Sequence, residues 1–254
     1  MELIAIIPAR LDSTRLPRKV LLEVNGKTIL QHVYEQVSKA RTVEKVIIAT
    51  DSDEVFNACR KFTPHVEMTS PAHTCGTERI AEAASRLDAR LVLNVQGDEP
   101  LIRPEVIDQI GQTMLQTDDL MYSLMVRLHD TIELANPNVP KVIVDKQGYA
   151  IYFSRLPIPY CRDQHHIIRG SELLHEEVVY YRHIGIYGFK REFLLKYASL
   201  EPSPLEKMEK LEQLRAIENG YRIRMTETDY NSFSIDTAED FIRLKEFLKE
   251  KPLP

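Results

Sequence analysis

Ile4-Ala5-Ile6-Ile7-Pro8-Ala9-Arg10-Leu11-Asp12-Ser13-Thr14-Arg15-Leu16-Pro17-Arg18-Lys19 opens with an apolar run of the kind a buried strand shows. Pro8 is expected to end that strand, because proline cannot donate to a sheet ladder. Arg10, Arg15, Arg18 and Lys19 then crowd the following loop, in a chain whose formal net charge is -5. In an open α/β sheet, ligands bind beyond the carboxyl ends of the strands. A loop of Arg, Lys, Ser and backbone N–H groups at such a place suits a polyphosphate, through guanidinium forks and an ammonium point charge. A solvated basic turn is the other reading. The GxxxxGK[ST] pattern of a P-loop is absent.

The 254 residues, 43% hydrophobic and 28% charged, are ordinary for a soluble globular protein and argue against disorder. A pI near 5.9 disfavours a general nucleic-acid binder. No apolar run approaches the length of a membrane span, and no secretory leader is evident. Cys59, Cys75 and Cys161 are odd in number and widely spaced, which fits a reducing compartment and neither a disulfide framework nor a zinc cluster. A cytoplasmic protein is expected.

Outward from the first strand, the chain alternates. Helical spacing of Ile29, Leu30, Val33 and Val37 precedes a strand at Lys45–Thr50; a helix through Val55 and Cys59 precedes a short strand at Val66–Met68. A helix through Ile80, Ala83 and Ala84 leads to a strand at Leu91–Val95, and a helix starts at Pro104. Continuous apolar strands alternating with helices mean a parallel sheet covered on both faces. Beyond residue 120 the pattern changes. Ser123–Leu128 reads as a strand, and Lys141–Asp145 with Tyr149–Phe153 as an antiparallel hairpin. Arg155 to Tyr180 is irregular, and His183–Phe189 returns as a strand. Leu205, Met208, Leu211, Leu214 and Ile217 define one amphipathic helix stopped by Asn219-Gly220. Two further short strands, at Arg222–Met225 and Ser232–Ile235, precede a final helix through Phe241, Leu244 and Leu248.

Several residues are placed to carry chemistry, each with an ordinary alternative. Asp98, past a strand end and beside Gly97, can ligate Mg²⁺ next to phosphates or simply form a turn. Asp236 can be a second carboxylate for that metal or a helix cap; Thr237 with Asp240 matches a capping box. Arg79 in a first helical turn opposes the helix dipole, which suggests an anionic partner or an ion pair with Glu78 or Glu82. Arg155, Arg162, Arg169 and His183 can receive an anion or be solvated loop charges. Glu212 can face inward or pair with Arg215. Adjacent His165 and His166 lack helical metal spacing, and neither a nucleophile elbow nor GxGxxG occurs.

Together, Ile7-Pro8-Ala9-Arg10, Ser13-Thr14-Arg15-Leu16-Pro17, Lys19, Gly76-Thr77-Glu78-Arg79, Asn94-Val95-Gln96-Gly97-Asp98-Glu99-Pro100, Tyr152-Phe153-Ser154-Arg155, His183-Ile184-Gly185-Ile186-Tyr187-Gly188 and Ile235-Asp236-Thr237 closely resemble the 3-deoxy-manno-octulosonate cytidylyltransferase (CMP-Kdo synthetase) family. The likeness runs in order from about residue 4 to residue 245. It implies a Rossmann-like α/β fold: a mostly parallel sheet with helices on both faces, plus a smaller antiparallel, loop-rich lobe. One domain would span residues 1–254, with 1–120 mainly nucleotide-binding and 121–254 mainly for sugar binding and dimerisation.

The implied reaction joins CTP and an acidic eight-carbon sugar, Kdo, into CMP-Kdo and pyrophosphate with Mg²⁺, for lipopolysaccharide synthesis, in a homodimer. The resemblance assigns Pro8, Ala9, Arg10, Ser13, Arg15, Lys19, Thr74 and Gly76 to the nucleotide, with Arg10, Arg15, Lys19 and Asp98 as catalytic groups. It assigns Asp98 and Asp236 to the metal, and Arg79, Gln96, Arg155, Arg162, His183, Tyr187 and Glu212 to the sugar. The chain departs from the family's pattern in Pro17-Arg18-Lys19-Val20, where Pro-Gly-Lys-Pro is usual, in Cys75, where Ser is common, and at Pro140. Arg18 is expected to add a cation to the phosphate loop.

Overall fold

The computed structural model describes residues 1–11, 15–162 and 179–250. The first half alternates strictly. Strand β1 (Leu3–Ala9) is followed by a 3-10 turn over Lys19–Leu21, a small hairpin of β2 (Glu23–Val24) and β3 (Lys27–Thr28), and helix α1 (Ile29–Val37). Then come β4 (Lys45–Thr50), α2 (Asp53–Cys59), β5 (Val66–Met68), α3 (Gly76–Ser85), β6 (Leu91–Asn94) and α4 (Pro104–Gln116). Local chemistry sets the helix starts: the Thr28 hydroxyl accepts from Gln31 N, Ser52 accepts from Val55 N, and Pro104 opens α4.

The second half contributes β7 (Met121–Leu128), α5 (Thr131–Ala135), β8 (Lys141–Val144), β9 (Ala150–Ser154) and the long β10 (Tyr180–Lys190). It ends with α6 (Arg191–Ala198), α7 (Pro204–Glu209), α8 (Leu214–Glu218), β11 (Ile223–Thr228) and α9 (Ala238–Glu250). Among the described residues seven strands of a nine-stranded sheet run in the order β11-β7-β10-β6-β1-β4-β5, with β8 and β9 off this path. β1 pairs in parallel with both β4 and β6, whereas β10 runs antiparallel between β6 and β7. The expected β8–β9 hairpin is antiparallel and hangs from the start of β10, so the antiparallel part grows out of the main sheet.

Alternation along β1 sends Ala5 and Ile7 to one face, where Leu30 and Val33 of α1 and Val106 and Ile110 of α4 meet them. Ile4 and Ile6 face the other side, against Ile80 and Ala84 of α3. Both faces are thus covered, as continuous apolar strands require.

Three sequence expectations need correction. Pro8 does not end β1; it lies inside it, opposite Ala49. Pairing with β6 covers only Leu3 to Ile6, so by Pro8 one side of β1 no longer needs a donor. The single helix drawn through Leu205–Ile217 is two helices, broken where Lys210 takes a left-handed conformation (φ 53°). Met208 consequently lies exposed, while Leu211 and Leu214 still reach the core. Ser232–Ile235 forms no strand; it lies outside regular structure, and its Ile235 N donates to Asp98 O at 2.9 Å.

Candidate active site

The chain leaves β1 toward β4 on one side and later returns to β6 on the other, so strand order reverses beside β1. At such a switch point the loops separate and leave a crevice. Here the crevice is a cleft of about 330 Å³, lined by the loop after β1, the entry to α3 and the loop after β6. Gly97 makes that closeness possible: a Cβ on it would stand 2.9 Å from Pro8 O.

Most residues expected at the nucleotide line this cleft: Pro8, Ala9, Arg10, Arg15, Lys19, Thr74 and Gly76, with Asp98 and Asp236. Lys19 opens the 3-10 turn, just after Arg18 reverses the chain at φ 58°. Its ammonium donates to Asp98 Oδ2 at 2.5 Å and to Asp236 Oδ1 at 3.1 Å. Burial alone would lower the Lys19 ammonium, but the two carboxylates outweigh it and hold it above its ordinary range. Arg15 meets the same Asp236 oxygen at 3.0 Å from a mostly exposed position. Arg10 makes no ion pair among the described residues. Four cationic side chains, Arg10, Arg15, Lys19 and Arg79, line the cleft with two carboxylates, an excess of positive charge suited to a polyanion.

Asp236 is not the helix cap. Thr237 holds that role, its hydroxyl accepting from Asp240 N while Asp240 Oδ2 accepts from Thr237 N and Asp236 N. The capping box is real, and it frees the Asp236 carboxylate to face the cleft.

The residues expected at the sugar are divided. Arg79 and Gln96 line the cleft. Arg79, however, is buried and pairs with neither Glu78 nor Glu82: it donates to Asp51 Oδ2 at 2.6 Å and Thr69 Oγ1 at 2.7 Å. Gln96 Nε2 donates to Gly185 O. Behind the cleft wall Glu212 accepts from Thr77 Oγ1 at 2.7 Å, and burial pushes its carboxyl up. Arg215 is not its partner; that guanidinium grips Glu206 at 2.6 Å and 2.8 Å.

Gln213, which sequence reading missed, joins the two buried rings. Its Oε1 accepts from Tyr187 OH, and its Nε2 donates to His183 Nδ1. That donation makes Nδ1 the acceptor, so His183 Nε2–H faces Ser123 Oγ at 2.8 Å. Burial holds His183 down at about 3, neutral at physiological pH. His183, Tyr187 and Glu212 do not line the cleft.

Arg155 lies elsewhere: its guanidinium donates to Glu209 O, Pro137 O and Lys210 O, fastening the end of β9 to the end of α7. Arg162 is also absent from the cleft lining. Arg18 pairs with Glu54 and adds no cation to the cleft. Ser13, His165, His166 and Arg169 lie outside the described residues. Val20, Gly97 and His73 are cleft residues without a prior assignment. His73 is held there by Glu82 Oε2 at 2.5 Å, nine residues on in α3. Cys75 also lines the cleft, and burial raises its thiol to about 12.

A family model described as cytidylyltransferase matches residues 4–224. The 3-deoxy-manno-octulosonate cytidylyltransferase of Geobacter sulfurreducens is 45% identical over 98% of this chain and 100% of its own. That of Geobacter metallireducens is 46% identical, over 98% of each. A solved structure of CMP:2-keto-3-deoxy-manno-octonic acid synthetase complexed with CTP superposes with a TM-score of 0.90 at 34% identity, covering 99% of this chain and 100% of that one. The 4-diphosphocytidyl-2C-methyl-D-erythritol synthase of Anaerococcus prevotii, 18% identical with a TM-score of 0.61, shares the fold alone. Fold, cleft and kinship agree: the chain belongs to the 3-deoxy-manno-octulosonate cytidylyltransferase family.

Proposed function

We infer that the protein transfers the cytidylyl group of CTP to the anomeric hydroxyl of 3-deoxy-D-manno-octulosonate, forming CMP-Kdo and pyrophosphate. The observation that carries this reading is the meeting of Arg10, Arg15 and Lys19 with Asp98 and Asp236 in one cleft at the switch point. The sugar oxygen attacks the α-phosphorus in line, and the bond to the β-phosphate breaks. Arg10 and Arg15 hold the triphosphate and neutralise charge that grows on the leaving pyrophosphate. A non-catalytic nucleotide-binding module would need no second carboxylate beside Asp98; the approach of Asp236 favours the enzyme.

Magnesium fits this site by the chemistry of its donors. Two carboxylates converge on one point now held by an ammonium. No group of three or more His, Cys, Asp or Glu residues suited to a metal occurs among the described residues, so phosphate oxygens and water would complete the shell. When bound, the ion would supply charge neutralisation at the phosphoryl oxygens.

Product for lipopolysaccharide synthesis, a cytoplasmic location and a homodimer belong to the same reading. No helix among the described residues is long and apolar enough to cross a membrane. Exposed Ile151, Leu156 and Tyr160 near the β8–β9 hairpin support an interface there. Light scattering at the dimer mass supports it; a monomer at micromolar concentration refutes it.

Pyrophosphate release from purified protein with CTP, Mg²⁺ and Kdo tests the reaction. Release that requires both sugar and metal is the expected result. Release with sialic acid or an amino-Kdo instead would replace the substrate, and none with any acid sugar would refute catalysis.

A further inference from the structure

Lys19 does not point into open space as a free phosphate-binding lysine would. Its ammonium is spent on Asp98 and Asp236, at 2.5 Å and 3.1 Å, with 15% of the side chain exposed. Those are the two carboxylates that the reading above gives to magnesium, and here a cation of the protein's own already neutralises them. Arg15 also touches Asp236, but 64% of its side chain is exposed, so water screens that contact.

The carboxylates are the fixed partners. Asp98 O accepts from Ile235 N, Gly97 packs against Pro8, and Asp236 N is held by Asp240. Lys19 is the movable one, a point charge on a flexible four-carbon stem. Magnesium binds its oxygens at about 2.0–2.1 Å in a near-ideal octahedron. An ammonium hydrogen-bonded to the same oxygens stands where the ion must enter, and two cations so close repel. A triphosphate arriving beside Arg10 offers that ammonium other anionic oxygens, with charge-assisted hydrogen bonds of similar strength.

We propose that Lys19 is a resident counter-ion which keeps Asp98 and Asp236 closed to free divalent metal until a nucleoside triphosphate draws its ammonium onto the phosphates. Metal and nucleotide then bind with positive coupling carried by one side chain, and the coupling is reciprocal. The proposal rests on the functional reading above.

Mn²⁺ titrated into the full-length, nucleotide-free protein, with free ion followed by electron paramagnetic resonance, tests it without any turnover. Lys19→Gln binds Mn²⁺ at least ~10-fold more tightly than wild type, a gain of about 1.4 kcal/mol. Lys19→Arg, which keeps the charge, stays close to wild type. The Lys19→Gln/Asp98→Asn double variant loses the gain, which places it at these carboxylates. In a second measurement Mn²⁺ improves CTP affinity by a larger factor in wild type than in Lys19→Gln. Unchanged or weaker Mn²⁺ binding by Lys19→Gln, or an equal gain in Lys19→Arg, overturns the proposal. A wild type that ignores CTP, while Lys19→Gln still gains Mn²⁺, refutes the functional reading and the nucleotide-driven half of the proposal; competition at the carboxylates then stands.

Discussion

Lys19 and Asp236 stand 217 positions apart in the chain, yet one hydrogen bond joins them across the cleft. What each residue contributes follows from how firmly it is held. Asp98 is half-buried and its backbone carbonyl is held by Ile235 N. Asp98→Asn keeps the shape and removes the charge. Turnover is expected to fall by at least ~100-fold, on the scale of losing one preorganised electrostatic contact, with the melting temperature little changed. A near-normal rate in steady-state assays would refute the metal assignment. Arg15 is largely exposed, and among the described residues its ion pair is with Asp236. Arg15→Ala should therefore weaken CTP binding roughly tenfold, within the range of a charge-assisted contact, and leave the fold intact. Equilibrium titration with CTP in the absence of sugar decides this. Both assignments were open in the sequence. The cap reading of Asp236 is set aside only by seeing that Thr237 already caps α9.

At the scale of elements, the floor of the cleft depends on the loop after β6 passing close to the end of β1 at Gly97. Gly97→Ala would push a methyl group into Pro8 O, a backbone atom that cannot turn aside. A destabilisation of about 1–3 kcal/mol is expected, read as a lower urea midpoint with unchanged slope. An unchanged midpoint would show that the loop after β6 can yield. Element type was legible where a period was long and clean: β1, α1, β4, α3, β6 and α4 all lie where the apolar spacing put them. The break between α7 and α8 was not, because Leu205, Leu211, Leu214 and Ile217 keep a helical rhythm across it. Lys210 in a left-handed conformation carries no composition signal of the kind glycine gives. The break matters for function, since it turns Glu212 toward Thr77 and Gln213 toward Tyr187. That Arg155 stands outside the cleft lining was illegible for a related reason. A cationic residue beside an irregular segment looks available for an anion, and only the three-dimensional neighbourhood shows three of its donors on carbonyls.

Across the whole molecule, the sequence announces a parallel unit followed by antiparallel strands, but not that β10 threads between β6 and β7 to make one sheet of them. Strand partners distant in the chain leave no periodicity to read. Strand pairing makes the join, and a buried polar chain ties β10 to β7 and to the α7–α8 break: Tyr187 and His183 on β10, Ser123 on β7 and Gln213 from the break. Its weak point is His183. Burial, aided by the nearby Arg182 charge, holds the ring at about 3, against 6.5 for an unburied histidine. Below pH 6.5 the unfolded chain takes a proton that the folded one refuses, so stability falls as pH drops through that window toward 3. Glu99 acts in the other direction: burial first, then the Asp98 charge, raise it to about 8. The folded state therefore keeps its proton, and stability falls as pH rises from the unfolded carboxyl range toward 8. Comparing wild type with His183→Gln at each pH cancels the Glu99 contribution. Glutamine still offers a donor and an acceptor to the chain, but takes no proton. Between pH 7 and pH 5 the wild type should lose about 2 kcal/mol more than the variant, by proton linkage at one fully shifted site. Urea unfolding of both proteins at the two pH values measures it. Parallel losses would mean that His183 is protonated in the folded state, with Ser123 or Gln213 turning to receive the charge.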